Sequence, residues 1–411
     1  MSTRSTSFPK EKIKILLLEG VHPTAIDLFK KQGYSNIESI TASLNEKDLI
    51  SKISGAHILG IRSKTQLTET ILKKADKLIA VGAFCIGTNQ INMKYATESG
   101  IAVFNSPFSN TRSVAELVIG ESIMLMRRVF EKSEGAHRGS WLKEANNCFE
   151  VRGKTLGIIG YGHIGTQVSI LAEALGMKVM FYDVMPRLSL GNAASSRSLD
   201  ELLKKSDVIT LHVPGTPETK NLINAARLKK MKPGAVLLNL SRGDVMDVWA
   251  VKEAIEKHHL GGLAVDVFPE EPKSNKDLFA SPLQGLPNVI LTPHIGGSTV
   301  EAQESIGLDV AEKLINFTDT GSSNGSLTVP DMSLPVLHNA HRILHIHHNV
   351  PGVLSQINGV LSKMKVNILG QYLKTNSSIG YVVLDIDTMS SSKVMAELKK
   401  VKNTIRTRSL Y

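Results

Sequence analysis

The sequence contains only two cysteines, Cys85 and Cys148, among its 411 residues. Two thiols by themselves cannot build a disulfide framework or a structural zinc site, so we expect no metal centre. Both lie in apolar surroundings, and we expect buried thiols in a reducing compartment, which favours the cytoplasm. The sequence also lacks any apolar run near the roughly 20 residues that a membrane helix requires, so we expect no membrane-spanning segment.

Acidic residues are fewer than basic ones. The chain has 48 Lys and Arg against 38 Asp and Glu, a formal net charge of +10. Basic residues outnumber acidic ones by ten to three from residue 336 to the end, so most of the excess lies there. Because no aromatic residues are interleaved with these charges, as in proteins that stack nucleic-acid bases, we expect a solvated basic surface and no nucleic-acid partner.

Apolar segments alternate with amphipathic helical patterns over the first hundred residues, which predicts a parallel α/β sheet. The predicted strands are 13–18, 57–62, 78–84 and 101–105. A helical pattern at 112–129 has apolar residues spread widely enough to be buried on more than one side. A second alternating series, with strands at 155–160, 178–183, 207–213, 235–241, 262–268 and 288–292, predicts a complete dinucleotide-binding sheet.

One more helix is predicted at 299–317, before a Gly-, Ser- and Asn-rich linker at 320–328. The remaining residues have the order strand, helix, strand, strand, helix, strand, which describes a small ferredoxin-like domain. These six elements are predicted at 341–348, 352–363, 366–374, 379–386, 393–401 and 404–410. Because this segment contains no acid–base pair and no phosphate loop, we interpret it as a binding module.

A glycine motif with the spacing GxGxxG follows the first strand of the second series. Gly160 permits a tight turn, Gly162 lets the backbone approach a pyrophosphate, and Gly165 lets the following helix pack closely on the sheet. The next strand ends at Asp183, whose carboxylate can accept hydrogen bonds from ribose hydroxyls and repel a 2′-phosphate. The motif therefore predicts NAD binding, although Arg187 is close enough in sequence to accommodate the phosphate of NADP.

Three polar residues follow the later strands of the same series, at the sheet edge where open α/β sheets bind ligands. We predict His294 as the acid–base group, Glu271 as its orienting partner and Arg242 as the anchor of a substrate carboxylate. Each residue also has a non-catalytic interpretation when it is considered alone. Arg242 could be a surface arginine in a turn, Glu271 an acid in a proline-rich loop, and His294 a helix-capping residue. Their joint position at successive strand ends favours oxidation of a 2-hydroxy acid.

These residues and two further runs resemble the family of D-isomer-specific 2-hydroxyacid dehydrogenases. The runs are Asn-Ser-Pro-Phe-Ser-Asn-Thr-Arg-Ser-Val-Ala-Glu at 105–116 and Leu-His-Val-Pro-Gly-Thr-Pro at 211–217. The resemblance covers nearly everything after residue 12, and the end of the chain resembles an ACT regulatory domain. It implies an α/β fold in which a Rossmann-type NAD-binding domain (110–296) is inserted in a flavodoxin-like substrate domain (9–109 and 297–335), followed by a ferredoxin-like ACT domain (340–411).

The resemblance also implies an activity, partners and site residues. The activity is NAD-dependent oxidation of 3-phosphoglycerate, the first step of serine synthesis, by a homotetramer that serine inhibits at interfaces between ACT domains. Beyond the glycine motif, the cofactor-lining residues would be His163, Ile164, Asp183, Leu240, Ser241, Asp266, Gly296 and Gly297. The substrate-binding residues would be Arg62, Ser63, Lys64 and Asn110, and the serine-binding residues His347, Asn349 and Asn367.

Two positions depart from the family pattern. Lys64 stands where relatives often have arginine, which keeps the charge but loses the two-pronged grip on a phosphate. Asn339 and Ala340 replace a glycine pair at the hinge before the ACT domain, so we expect a stiffer hinge. Two alternatives remain open at this point: a dehydrogenase of an unphosphorylated acid such as glyoxylate or hydroxypyruvate, and an NAD-sensing corepressor without enzymatic activity.

Overall fold

The computed structural model describes residues 9–272, 277–335, 340–387 and 391–410. The chain forms two compact units. One comprises the chain up to Ser109 together with the chain from Gln303 onward, and the other is Asn110–Ala302. None of the described helices combines the length and the apolar character that crossing a membrane would require.

The first unit contains a five-stranded parallel sheet in the order β2-β1-β3-β4-β5, which is the flavodoxin-like order and confirms that part of the predicted fold. Its elements are β1 (Ile15–Leu17), α1 (Pro23–Lys31), β2 (Ile37–Ser39), α2 (Glu46–Ile53), β3 (Ile58–Ile61), α3 (Glu69–Lys74), β4 (Ala80–Ala83), α4 (Met93–Glu98) and β5 (Ala102–Asn105). Strands β1, β3, β4 and β5 are buried throughout, which explains their uninterrupted apolar sequences. Strand β2 was not predicted because it lies at the sheet edge and has a single apolar residue.

The second unit begins with two helices, α5 (Thr111–Met126) and α6 (Val129–His137). The prediction of one helix over 112–129 is wrong at its end, because Arg128 adopts a left-handed conformation (φ 53°) that separates the two helices. The prediction that this helix is buried on more than one side is not borne out. The buried residues of α5, which include Val118, Ser122 and Leu125, are spaced three and four residues apart and lie on one face.

A seven-stranded parallel sheet completes the second unit, in the order β12-β11-β10-β9-β6-β7-β8. Its elements are β6 (Thr155–Ile159), α7 (His163–Ala174), β7 (Lys178–Tyr182), β8 (Ala194–Ser195), α8 (Leu199–Lys205), β9 (Val208–Leu211), α9 (Ala225–Leu228), β10 (Ala235–Asn239), α10 (Val248–Glu256), β11 (Leu260–Val265) and β12 (Val289–Leu291). The strand order reverses between β6 and β9, as in dinucleotide-binding sheets, so ligands are expected beyond the carboxyl ends of these strands. This confirms the predicted Rossmann-type sheet, with β8 as an additional short edge strand.

The rest of the chain contains α11 (Val300–Thr320), β13 (His341–His348), α12 (Val353–Lys363), β14 (Ile368–Thr375), β15 (Ile379–Ile386), α13 (Ser391–Leu398) and β16 (Thr404–Leu410). The four strands form an antiparallel sheet in the order β14-β15-β13-β16, which confirms the predicted ferredoxin-like domain. One face of this sheet packs against α12 and α13, with Ile343 and Val382 in that core. The other face, including Leu344 and Tyr381, shares a core with α11 and the first sheet.

Arg342 joins the antiparallel sheet to the preceding chain. Its side chain is fully buried and forms a two-pronged ion pair with Asp385 at 2.7 and 2.8 Å. Its remaining terminal nitrogen donates to the carbonyls of Thr320 and Pro335 at 3.0 and 3.1 Å. The predicted hinge residue Asn339 lies outside the described residues, so the expected stiffness there stays a prediction.

Both cysteines are free, but the prediction that both are buried is wrong because each is only partly buried. The Cys85 thiol donates to the carbonyl of Gly87 at 3.1 Å. Burial raises the pKa of Cys85 to about 11. Because the thiolate is the reactive form, Cys85 is an inert thiol at neutral pH.

Candidate active site

The glycine turn between β6 and α7 has the conformation that the sequence motif predicts. Gly160 has a φ of 93°, and a Cβ atom there would lie 2.3 Å from the carbonyl oxygen of His212. A Cβ at Gly165 would lie 2.3 Å from the carbonyl oxygen of Gly160, so this glycine allows the helix to pack on the turn. At Gly162 a Cβ would meet nothing within 4 Å. The space beside Gly162 at the start of α7 therefore leaves room for a pyrophosphate to approach the helix N-terminus.

The Asp183 carboxylate is fixed in position just beyond β7. It accepts hydrogen bonds from the backbone N–H groups of Tyr161 at 2.8 Å and Met185 at 2.9 Å. Arg187 pairs with the same carboxylate at 3.4 Å, and its side chain is 45% exposed. Oδ1, which accepts only from Met185 among these partners, has a second lone pair for a ribose hydroxyl. The glycine turn and this aspartate therefore fit a dinucleotide.

His294 and Glu271 form a direct pair at the same edge of the sheet. His294 Nδ1 lies 2.9 Å from Glu271 Oε2. The other carboxylate oxygen of Glu271 accepts a hydrogen bond from the backbone N–H of Phe268 at 3.1 Å. Because Nδ1 is engaged with the carboxylate, Nε2 of the imidazole is the nitrogen left for a substrate proton.

Asp266 holds the turn that carries His294, whose left-handed conformation (φ 55°) is unusual for a residue other than glycine. One oxygen of Asp266 accepts from the Thr292 hydroxyl at 2.7 Å and from Ile295 N–H at 2.8 Å. The other accepts from Gly296 N–H at 2.8 Å. These bonds offset the local strain and fix the imidazole. The contacts give Asp266 a structural role, and its predicted contact with the cofactor remains a proposal.

Arg242 lies beside this pair because Gly243 lets two loops approach closely. A Cβ at Gly243 would lie 2.0 Å from the carbonyl carbon of Phe268, in the loop that leads to Glu271. The Arg242 guanidinium donates to the carbonyl of Ser241 at 2.6 Å. Its charge is close enough to act on both groups: it adds to the lowering of the pKa of Glu271, and it opposes the larger rise in the pKa of His294 that Glu271 causes. The structure thus brings the three predicted catalytic residues together.

The electrostatics of the pair favour a charged imidazole. The hydrogen bond to Glu271 raises the pKa of His294 above its ordinary value, and burial opposes that shift. Burial works to raise the pKa of the Glu271 carboxyl, but the hydrogen bonds from His294 and from Phe268 N–H outweigh it and hold that pKa below its ordinary value. The carboxylate therefore stays ionised while the histidine gains and releases a proton.

A Glu271→Gln substitution should move the pH profile of oxidation. The base must be neutral to accept a proton, so kcat/KM rises with pH through the pKa of His294. Without the carboxylate the imidazolium loses its main stabilisation, the pKa of His294 falls, and the acidic limb of kcat/KM moves to lower pH. Initial rates between pH 5 and pH 9 measure the shift. An acidic limb at the same pH in both proteins would show that the carboxylate does not control the histidine.

The remaining predicted cofactor residues occupy the same edge of the second unit. His163 and Ile164 open α7. Leu240, Ser241, Gly296 and Gly297 lie in the loops after β10 and β12. A Cβ at Gly297 would lie 2.2 Å from Asn110 Nδ2, so this glycine admits the Asn110 side chain. The Asn110 Oδ1 atom is buried without a hydrogen-bond partner among the described residues, as expected of a group that receives a ligand.

The predicted substrate residues Arg62, Ser63 and Lys64 belong to the first unit, in the loop after β3. Ser63 and Lys64 are exposed and Arg62 is partly buried. The loop presents two cationic side chains two residues apart.

The three predicted serine-binding residues do not meet within one chain. His347 and Asn349 lie at the end of β13, where Asn349 N–H donates to Ser378 at 3.0 Å. Asn367 precedes β14 at the opposite end of the sheet, where its carbonyl accepts from Asp387 N–H. The length of an eight-residue strand, about 3.3 Å per residue, separates the two positions.

Two residues in or near the site were not predicted. Asn239 ends β10 and holds the following loop, because its amide donates to the Arg242 carbonyl at 2.9 Å and accepts from the Ser241 hydroxyl at 2.8 Å. Glu121 on α5 is buried, with neither carboxylate oxygen bonded to a described residue. Burial, together with the charge of Asp266, raises the pKa of Glu121 to about 8. A glutamate within an apolar helical pattern was the only sequence signal for it.

Residues 119–296 match the family described as D-isomer specific 2-hydroxyacid dehydrogenase, NAD binding domain, and residues 343–406 match the family described as AHAS small subunit-like ACT domain. The chain is 53% identical over 407 residues to D-3-phosphoglycerate dehydrogenase of Escherichia coli (strain K12), covering 98% of this chain and 99% of that protein. The chain belongs to the D-isomer-specific 2-hydroxyacid dehydrogenase family.

A second curated relative has the same name as the Escherichia coli protein. D-3-phosphoglycerate dehydrogenase of Dictyostelium discoideum is 50% identical over 407 residues, which is 99% of each chain. Among solved structures, D-lactate dehydrogenase from Aquifex aeolicus, complexed with NAD and lactic acid, is 29% identical with a TM-score of 0.66. It covers 77% of this chain and is itself fully covered. This dehydrogenase is therefore an NAD-dependent oxidoreductase with a C-terminal ACT domain.

Proposed function

We propose that this dehydrogenase oxidises 3-phospho-D-glycerate to 3-phosphohydroxypyruvate with NAD, which is the first step of L-serine synthesis. The observation that carries the proposal is the His294–Glu271 pair, 2.9 Å apart at the carboxyl edge of the dinucleotide-binding sheet. The names of the relatives at about half identity over the full chain support the choice of substrate.

His294 Nε2 takes the proton of the substrate hydroxyl, while Glu271 holds the ring in position through Nδ1 and stabilises the imidazolium. Arg242 binds the substrate carboxylate and stabilises the carbonyl oxygen as it forms. NAD, when bound, accepts the hydride from the carbon that carries the hydroxyl. In the reverse direction His294 returns its proton to the oxygen.

The side chains of Arg62, Ser63 and Lys64 bind the phosphate of the substrate, and Asn110 contributes a polar contact near its reacting end. A phosphate carries up to two negative charges, and two cations on one loop complement it. Lys64 supplies a point charge where an arginine would supply two parallel hydrogen bonds. The enzyme therefore distinguishes its substrate from unphosphorylated 2-hydroxy acids, which have no phosphate to bind to this loop.

The proposal also assigns a function to each domain of the chain. The substrate-binding domain comprises residues 9–109 and 297–335. The NAD-binding domain comprises residues 110–296, and the regulatory ACT domain comprises residues 340–411. L-serine inhibits the enzyme by binding His347 and Asn349 of one copy and Asn367 of another. The separation of these residues within one chain supports a site shared between copies, and we propose a homotetramer. The two free cysteines favour the reducing cytoplasm.

One assay tests the proposal: reduction of phosphohydroxypyruvate and of hydroxypyruvate by NADH, each with and without L-serine. We expect a much higher kcat/KM for the phosphorylated substrate, and a lower rate when serine is present. A preference for hydroxypyruvate would identify a dehydrogenase of unphosphorylated acids. NADH binding without turnover of either substrate would contradict an enzymatic role and favour a corepressor.

A further inference from the structure

Glu19 is a buried acid that the catalytic mechanism does not use. It follows β1, is 8% exposed, and adopts a left-handed conformation with a φ of 64°. Such a conformation is unfavourable for a residue with a side chain and persists only where surrounding contacts hold it. A buried carboxylate also needs hydrogen-bond donors.

The donors come from the loop after β3. Glu19 Oε2 accepts from the backbone N–H of Lys64 at 2.9 Å, and Glu19 Oε1 accepts from the backbone N–H of Thr65 at 2.8 Å. Both oxygens of the Glu19 carboxylate therefore form hydrogen bonds with consecutive residues of this loop. Charge-assisted bonds of this kind are about twice as strong as neutral ones.

A second buried side chain holds the same loop from its other end. Gln90, 7% exposed, donates from its amide nitrogen to the carbonyl of Arg62 at 2.7 Å. The backbone of Gln90 also accepts from Leu67 N–H at 2.7 Å. The loop is thus fixed at residues 62, 64, 65 and 67, while the side chains of Ser63 and Lys64 stay exposed.

We propose that Glu19 and Gln90 are positioning residues that set the enzyme's preference for a phosphorylated substrate. They fix the backbone from which Arg62, Ser63 and Lys64 project. Because Glu19 occupies the N–H groups of Lys64 and Thr65, the phosphate is bound by the loop's side chains and not by these backbone donors. The inference rests on the proposed function, since it assigns the loop to the substrate phosphate.

The test compares wild type, Glu19→Gln and Gln90→Met as full chains, with phosphohydroxypyruvate and hydroxypyruvate as substrates. In Glu19→Gln an amide NH₂ faces a backbone N–H, so one of the two bonds is lost. We expect KM for phosphohydroxypyruvate to rise about tenfold or more, with kcat within about threefold of wild type, because one charge-assisted bond stops orienting the loop. The kcat/KM for hydroxypyruvate and the NADH affinity should change by less than about threefold.

Asp207→Asn is the matched control. The Asp207 carboxylate also accepts from a backbone N–H, that of Thr155 at 2.8 Å, and it pairs with Lys232 at 2.8 Å. It lies in the second unit, at the amino-terminal ends of β6 and β9, whereas the proposed site lies at the carboxyl ends of the strands. It should lower the melting temperature without changing the ratio of the two KM values. Gln90→Met supplies the same readout if Glu19→Gln does not fold, since it removes the bond to Arg62 together with the longer contacts of the same amide nitrogen with Gly87 and Cys85, which lie outside the loop.

A selective rise in KM for the phosphorylated substrate in either variant supports the inference. Equal losses with both substrates, or unchanged KM values, overturn it while leaving the proposed function intact. If wild type itself shows no preference for phosphohydroxypyruvate, the proposed function fails, and the inference fails with it.

Discussion

Replacing His294 with alanine is expected to lower kcat for phosphohydroxypyruvate reduction by about 10²- to 10⁴-fold, the usual contribution of a positioned acid–base group. The expectation follows from the 2.9 Å bond to Glu271, which leaves one ring nitrogen for the substrate oxygen. NADH affinity should be almost unchanged, because the glycine turn and Asp183 are independent of the imidazole. Steady-state kinetics and NADH fluorescence titration measure the two quantities separately.

An exposed histidine provides the control for this substitution. His137, at the end of α6, is exposed and has no place in the proposed site. His137→Ala should keep the wild-type kcat. Near-native turnover in His294→Ala would remove the histidine from its assigned role, and loss of NADH binding would mean that the substitution disturbs the fold.

Replacing Arg342 with alanine is expected to lower the free energy of unfolding by about 3–5 kcal/mol, the usual cost of breaking a buried ion pair. The change would leave the Asp385 carboxylate, 4% exposed, without its partner. It would also remove the hydrogen bonds to the carbonyls of Thr320 and Pro335, which tie the ACT sheet to the end of α11. Urea denaturation of the full chain measures the loss.

Lys400→Ala is the comparison for this effect. Its ion pair with Glu397 is exposed, with Lys400 at 70% and Glu397 at 45% side-chain exposure. Solvent screening makes such pairs worth about 0–1 kcal/mol, so we expect almost no change. Equal losses in the two variants would contradict the structural importance of the buried pair.

The catalytic trio could be predicted from sequence because its members follow successive strands of one parallel sheet. The carboxyl ends of such strands share an edge, so Arg242, Glu271 and His294 are near one another whatever their separation along the chain. Asn239 and Glu121 could not be assigned in this way. Their surroundings depend on which loop or helix packs against them, and one chain's sequence does not specify that.

The same distinction applies to the fold. Strands β13, β15 and β16 of the antiparallel sheet were predicted to the residue, because turn-forming residues such as Asn349, Asn376 and Asn403 flank them in the sequence. The break between α5 and α6 was missed, since it depends on the left-handed conformation of Arg128, for which the sequence has no glycine signal. Strand β2 was missed because a short edge strand buries little apolar surface.

The transfer of hydrogen from substrate to cofactor tests the central claim most directly. The purified enzyme is incubated with NAD and 3-phosphoglycerate carrying deuterium at C2, with the oxo product removed as its hydrazone, and the NADH is examined by mass spectrometry. We expect one deuterium in each NADH formed, and almost no NADH with His294→Ala. Unlabelled NADH, or none from the wild-type enzyme, would contradict the assignment of a dehydrogenase built on the His294–Glu271 pair.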